Sequence, residues 1–81
     1  MPLTKKDRRF ELVIDEHVVF ADYRMDGTKL YVDHVEAAPE LRGKGAAGQL
    51  MEELVSYAKA ENLNLVPICS YAVAWLARHK H

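Results

Sequence analysis

The sequence predicts an α+β domain with α/β-like features and the element order β-β-β-α-β-α. Two runs rich in Val, Ile and Phe, joined by a turn and followed by a third extended run, read as an antiparallel meander. A stripe of apolar residues at three- and four-residue spacing then draws one long amphipathic helix. A short apolar run after that helix completes a β-α-β unit, whose crossover is right-handed.

The first two strands are expected from Arg9 to Val13 and from His17 to Arg24, with Asp15-Glu16 as the turn between them. Asp26-Gly27 is a pair that tolerates positive φ and leads into the third strand, Lys29 to Glu36. Pro39 closes that strand because it has no N–H to donate to a ladder. Ala47, Leu50, Met51, Leu54, Val55 and Ala58 form the stripe of the long helix, which ends near Asn62. The run Leu63 to Ile68 reads as a buried strand parallel to the third. Ser70 is the expected N-cap of a last helix in which Ala72, Val73, Leu76 and Ala77 face the core and Trp75 packs in the core or at its rim. Residues 1–8, with the charge run "TKKDRR", are expected to be a frayed end.

A chain of 81 residues has room for one small domain, here spanning 1–81. Hydrophobic residues make up 49% and charged residues 28%, the profile of a globular protein rather than a disordered tail. Eleven basic residues against 12 acidic ones argue against general binding of a nucleic-acid backbone. The single cysteine, Cys69, has no partner for an internal disulfide, and no Cys/His cluster has zinc spacing. No apolar run has the length of a signal peptide core or a membrane span, so no membrane association and a cytoplasmic location are expected.

The stretch "ELRGKGAAG", Glu40 to Gly48, carries the chemistry. It contains a literal G-x-G-x-x-G between a strand and a helix, the context of a dinucleotide fingerprint. The rest of that pattern is missing: the preceding strands read as hairpins, only 33 residues follow Gly48, and the next strand ends in Pro67-Ile68-Cys69 without an acid. A P-loop needs Ser or Thr after Gly-Lys, and Gly45 stands there. A glycine-rich turn with no ligand is the plainest alternative. A third pattern begins at Arg42: Arg-x-x-Gly-x-Ala. Gly43 and Gly45 let backbone approach a diphosphate, the following helix offers unpaired N–H groups, and Arg42 and Lys44 add charge.

The segment "APELRGKGAAGQLMEEL" resembles the acetyl-CoA-binding motif of the GNAT superfamily of N-acetyltransferases. The chain as a whole resembles a small single-domain GNAT-like family, an abbreviated form lacking the early helices and the last strand pair. "DHVEAAPELRGKG", Cys69-Ser70-Tyr71 and Arg78-His79 stand where that family has closely similar elements. The resemblance implies an abbreviated GNAT fold, acetyl-CoA or coenzyme A as cofactor, and transfer of an acetyl group to an amine, either a small molecule or a protein lysine. It implies cofactor contacts from Val35, Ala37, Arg42, Gly43, Lys44, Gly45, Ala46 and Ala47, with Arg78 or His79 reaching a phosphate. It also implies a splayed gap between the strands Lys29 to Glu36 and Leu63 to Ile68, bringing the thioester near His34, Glu36 and Cys69.

Transfer to an amine needs a base and donors for an oxyanion. His34 is a candidate base, since an imidazole titrates near ~6.5, and Glu36 is its rival. Strand alternation is expected to put both on the face of Leu30 and Val32. Cys69, just before a helix N-terminus, is a candidate nucleophile or a group beside the thioester. Tyr71 is a candidate for protonating the departing thiolate, a role that typical members give to a tyrosine further along the last helix, where this chain has Trp75, Leu76 and Arg78. The competing reading is a CoA-binding or protein-interaction module with little turnover. Monomer and homodimer are both open, since an exposed edge strand could build a dimer.

Overall fold

A computed structural model describes residues 3–79. Its elements are β1 (Thr4–Lys6), β2 (Arg9–Ile14), β3 (His17–Asp26), β4 (Lys29–Ala37), α1 (Ala46–Ala60), β5 (Asn64–Pro67) and α2 (Ser70–Arg78), with a 3-10 turn at Pro39–Leu41. The strands form one mixed sheet in the order β1-β2-β3-β4-β5. Neighbours are antiparallel as far as β4, and β5 runs parallel to β4. Among the described residues no helix is long and apolar enough to cross a membrane.

The expected order is present, with one strand more than expected. Thr4–Lys6, expected to fray, pairs with Glu11, Phe10 and Arg9 as an edge strand. Every residue of β1 is exposed, so no apolar pattern announces it. It is held by its ladder, by Lys6 paired with Glu11 at 3.0 Å, and by the Tyr23 hydroxyl donating to Lys6 O at 2.9 Å. The turn at Asp15-Glu16 has both residues at positive φ, 50° and 67°, as a two-residue hairpin of the tightest kind demands.

Both helices pack on one face of the sheet. Phe10, Leu12, Val19, Ala21, Tyr23, Leu30 and Val32 project from that face and meet Leu50, Met51, Leu54, Val55 and Ala58 of α1 and Ala72 and Trp75 of α2 in a single core. The largest of these are fully removed from water, each contributing about 1.5–3 kcal/mol. α1 ends where Asn62 takes φ 57°, Asn62 N donates to Lys59 O and Leu63 N donates to Ala58 O, the two bonds of a Schellman stop.

α2 departs from expectation in two ways. Its N-cap is Cys69, whose Sγ accepts from Ala72 N at 3.3 Å, and Ser70 is the first helical residue. The buried face runs through Ala72 and Trp75, flanked by Tyr71 and Leu76, while Val73 and Ala77 are exposed. The apolar spacing fits either face, and the large indole wins because it covers more apolar surface.

β4 carries the feature that positions the site. Asp22 pairs with His34 but Tyr23 pairs with Val32, so Asp33 is an extra residue, a β-bulge. Beyond it the alternation reverses. Val35 and Ala37 now pack on the core, whereas His34 and Glu36 are exposed on the face that carries no helix. The expectation that His34 and Glu36 share a face with Leu30 and Val32 is therefore corrected: one inserted residue flips every later side chain.

Candidate functional site

The loop between the 3-10 turn and α1 takes its shape from glycine. Gly43 and Gly45 have φ 81° and 75°, and a Cβ at either would meet nothing within 4 Å, so positive φ rather than crowding requires them. Gly45 is the N-cap of α1 and offers no side chain to bond the first turn. Gln49 N donates to Gly45 O, while the N–H groups of Ala46, Ala47 and Gly48 have no protein acceptor among the described residues. The first turn holds no acid. Arg42 and Lys44 are exposed, and neither forms an ion pair among the described residues. Unpaired N–H groups, the positive end of a helix and two uncommitted cations suit a diphosphate.

Beside this loop the sheet opens. β4 and β5 pair from Lys29 and Asn64 to Val32 and Pro67. There Val32 O accepts from both Ile68 N, at 2.9 Å, and Cys69 N, at 3.2 Å, and the chain turns into α2 while β4 runs on to Ala37. Ala38 N donates to Val18 O, so the alternation of the ladder turns the backbone groups of Val35 and Ala37 away from β3, towards the side that β5 has left. A cleft of about 250 Å³ lies at this end, lined by Ala37, Leu41, Arg42, Gly43, Gly45, Ala46, Ala47 and Tyr71.

Tyr71 reaches that cleft from the first turn of α2. Burial pushes its phenol above the usual 10.0, an effect that Arg78 partly offsets and Cys69 reinforces, so the hydroxyl keeps its proton at neutral pH. His34 and Glu36 meet on the other face, with Nε2 of His34 3.0 Å from Oε1 of Glu36. If Nε2 carries the proton and donates it to the carboxylate, Nδ1 is left as an acceptor. The Cys69 sulfur is turned into the first turn of α2 as its cap, and the thiol is partly buried.

Arg78 is the last residue of α2, exposed, and close enough to act electrostatically on Tyr71. His79 stacks on Trp75, with ring centroids 4.0 Å apart, and its Nδ1 lies 2.9 Å from Trp75 O. The cleft lining thus joins the loop residues with Ala37 and Tyr71 and does not include Cys69, His34, Glu36, Val35, Lys44, Arg78 or His79. The spacing of Arg78, His79, Lys80 and His81 also predicts a solvated, charged helix end, of which Lys80 and His81 lie outside the described residues. Sequence reasoning missed Leu41, an apolar residue beside Arg42 that forms the buried floor, and Gly48, whose neighbours appear only in three dimensions. A larger cleft of about 560 Å³, lined by Asp7, Arg8, Tyr23, Arg24, Met25, Asp26 and Tyr31, lies at the opposite end of the sheet. It has neither a glycine loop nor an open helix end. Among the described residues no cluster of three His, Cys, Asp or Glu is placed to hold a metal.

Residues 9–81 match the family model described as GCN5-related N-acetyl-transferase. A GCN5-like protein from Staphylococcus aureus, solved in solution by NMR, superimposes with a TM-score of 0.73 at 25% identity, covering 98% of this chain and 80% of that one. A search of the curated proteins finds no match.

Proposed function

The chain belongs to the GCN5-related N-acetyl-transferase family, and from that premise we propose that it transfers an acetyl group from acetyl-CoA to an amine. The observation that carries the reading is the uncapped, glycine-shaped start of α1 beside the place where β4 and β5 separate. Bound acetyl-CoA supplies the acetyl group as an activated thioester.

The residues divide the work by position. The N–H groups of Gly45, Ala46 and Ala47 hold a diphosphate, with Arg42 and Lys44 adding charge and Gly43 keeping the approach clear. The outward backbone of Val35 and Ala37 offers hydrogen bonds along the gap. His34, oriented by Glu36, accepts a proton from the acceptor ammonium at Nδ1. Tyr71 holds a proton at Oη on the helix side. Base and acid therefore act from opposite faces of the sheet, with the gap between them. Cys69 caps α2 and so fixes Tyr71 two residues on, a positioning role for the sulfur. Arg78 is placed to add positive charge beside Tyr71.

A second reading is a CoA-binding or interaction module with little turnover. It is favoured by the exposure of His34 and Glu36 on a helix-free face, which gives an amine few walls. Calorimetry with CoA and acetyl-CoA, followed by free-thiol release over a panel of small amines and lysine peptides, separates the two. Release above background supports transfer; binding without release supports the module; binding of neither ligand contradicts both.

A further inference from the structure

The chain has four glycines, and three of them, Gly27, Gly43 and Gly45, sit at positive φ with open space around them. Gly48 is different. It lies inside α1, where a glycine costs up to about 1 kcal/mol relative to alanine and no unusual φ calls for it. A Cβ there would come within 3.2 Å of Trp75 Nε1, 3.8 Å of Trp75 Cδ1 and 3.7 Å of the Tyr71 hydroxyl. Trp75 and Tyr71 are one turn apart on α2 and both lean over this point.

We propose that Gly48 is a positioning residue: its bare Cα lets α2 close onto α1 and so sets the Tyr71 hydroxyl at the mouth of the phosphate loop. The indole has little room to yield, being 2% exposed and stacked on His79. A methyl group at residue 48 therefore makes α2 give by a few tenths of an ångström instead, and the Tyr71 hydroxyl shifts within the cleft that it shares with Gly45, Ala46 and Ala47. What the hydroxyl does there rests on the proposed acetyl transfer; where it sits does not.

The test uses the full chain with ring-labelled tyrosine and NMR. Gly48→Ala is expected to weaken the contact between the Tyr71 ring and residue 48, and to bring the Tyr71 titration down towards that of an exposed phenol. With CoA added, the backbone amides of residues 43–47 shift in both proteins. The Tyr71 ring responds in the unsubstituted protein and loses part of that response in the variant. Trp75→Phe, which withdraws the indole edge, restores the Tyr71 contact when combined with Gly48→Ala. Unchanged Tyr71 contact and titration in Gly48→Ala overturn the proposal. If Gly48→Ala alone does not fold, recovery of folding in the double variant supports the proposal and continued unfolding overturns it. If CoA moves no loop amide in the unsubstituted protein, the cofactor reading fails, and the titration still decides the role of Gly48.

Discussion

Arg24 donates through Nε and Nη2 to the two carboxylate oxygens of Asp33, at 2.8 and 3.0 Å, at the point where β4 carries a residue more than β3. The bidentate pair pins the bulge, and the bulge decides which face His34 and Glu36 occupy. Asp33→Ala is expected to cost less than about 1 kcal/mol of stability, since the pair is exposed. Acetyl transfer is expected to fall about tenfold, with CoA affinity unchanged, because the dyad loses its orientation. Steady-state kinetics beside calorimetry checks this.

The same pair has a pH signature. The hydrogen bond from Arg24 holds the Asp33 carboxyl below its ordinary 3.8. Its contribution to stability is therefore present above that value and lost as pH falls through the lower folded one. Asp33→Asn is expected to flatten this part of the acid unfolding profile, monitored by circular dichroism, by losing that small contribution at neutral pH while stability below the folded value stays unchanged.

His34 and Glu36 are expected to differ in consequence. Replacing His34 by Gln removes the proton acceptor and lowers turnover by about a hundredfold. Glu36→Gln leaves the imidazole in place but loosens its tautomer, and lowers turnover by about tenfold. CoA binding is retained in both, so a calorimetric titration run alongside the rate assay separates a lost base from a lost fold.

Cys69 caps α2 through sulfur, and Ser is a better cap than Ala. Cys69→Ser is therefore expected to keep stability and most of the turnover. Cys69→Ala loses about 1 kcal/mol and part of the turnover as Tyr71 loosens. Mass spectrometry of the intact protein after incubation with acetyl-CoA tests the nucleophile alternative: an acetylated Cys69 and an inactive Cys69→Ser would restore the sulfur to the chemistry.

Much of this molecule is legible in its sequence because the signals are local. The α1 stripe, the stop at Asn62, the Asp26-Gly27 turn and the glycine loop depend on neighbours within one or two turns of chain, and each stands where the spacing puts it. The features that escape depend on distant partners. β1 is stabilised by backbone bonds to β2 rather than by apolar side chains. The bulge at Asp33 shows in hydrophobicity only as a switch from Leu30 and Val32 to Val35 and Ala37, and the pairing with β3 is what tells a bulge from the end of a strand. Gly48 reads as one more helix residue until Trp75 is folded against it. The loop was thus visible at once, while the orientation of His34 and Glu36 needed coordinates.

The central claim is that a diphosphate is held by the amides at the start of α1. The most direct measurement is a CoA titration followed by backbone NMR, repeated on Gly45→Val. The account predicts that the amides of residues 43–48 shift most in the unsubstituted protein, and that the variant binds at least about tenfold more weakly, since a β-branched residue resists φ near 75° and the loop gives up the shape that aims its amides. Shifts centred elsewhere, or equal CoA affinity in Gly45→Val, would contradict it.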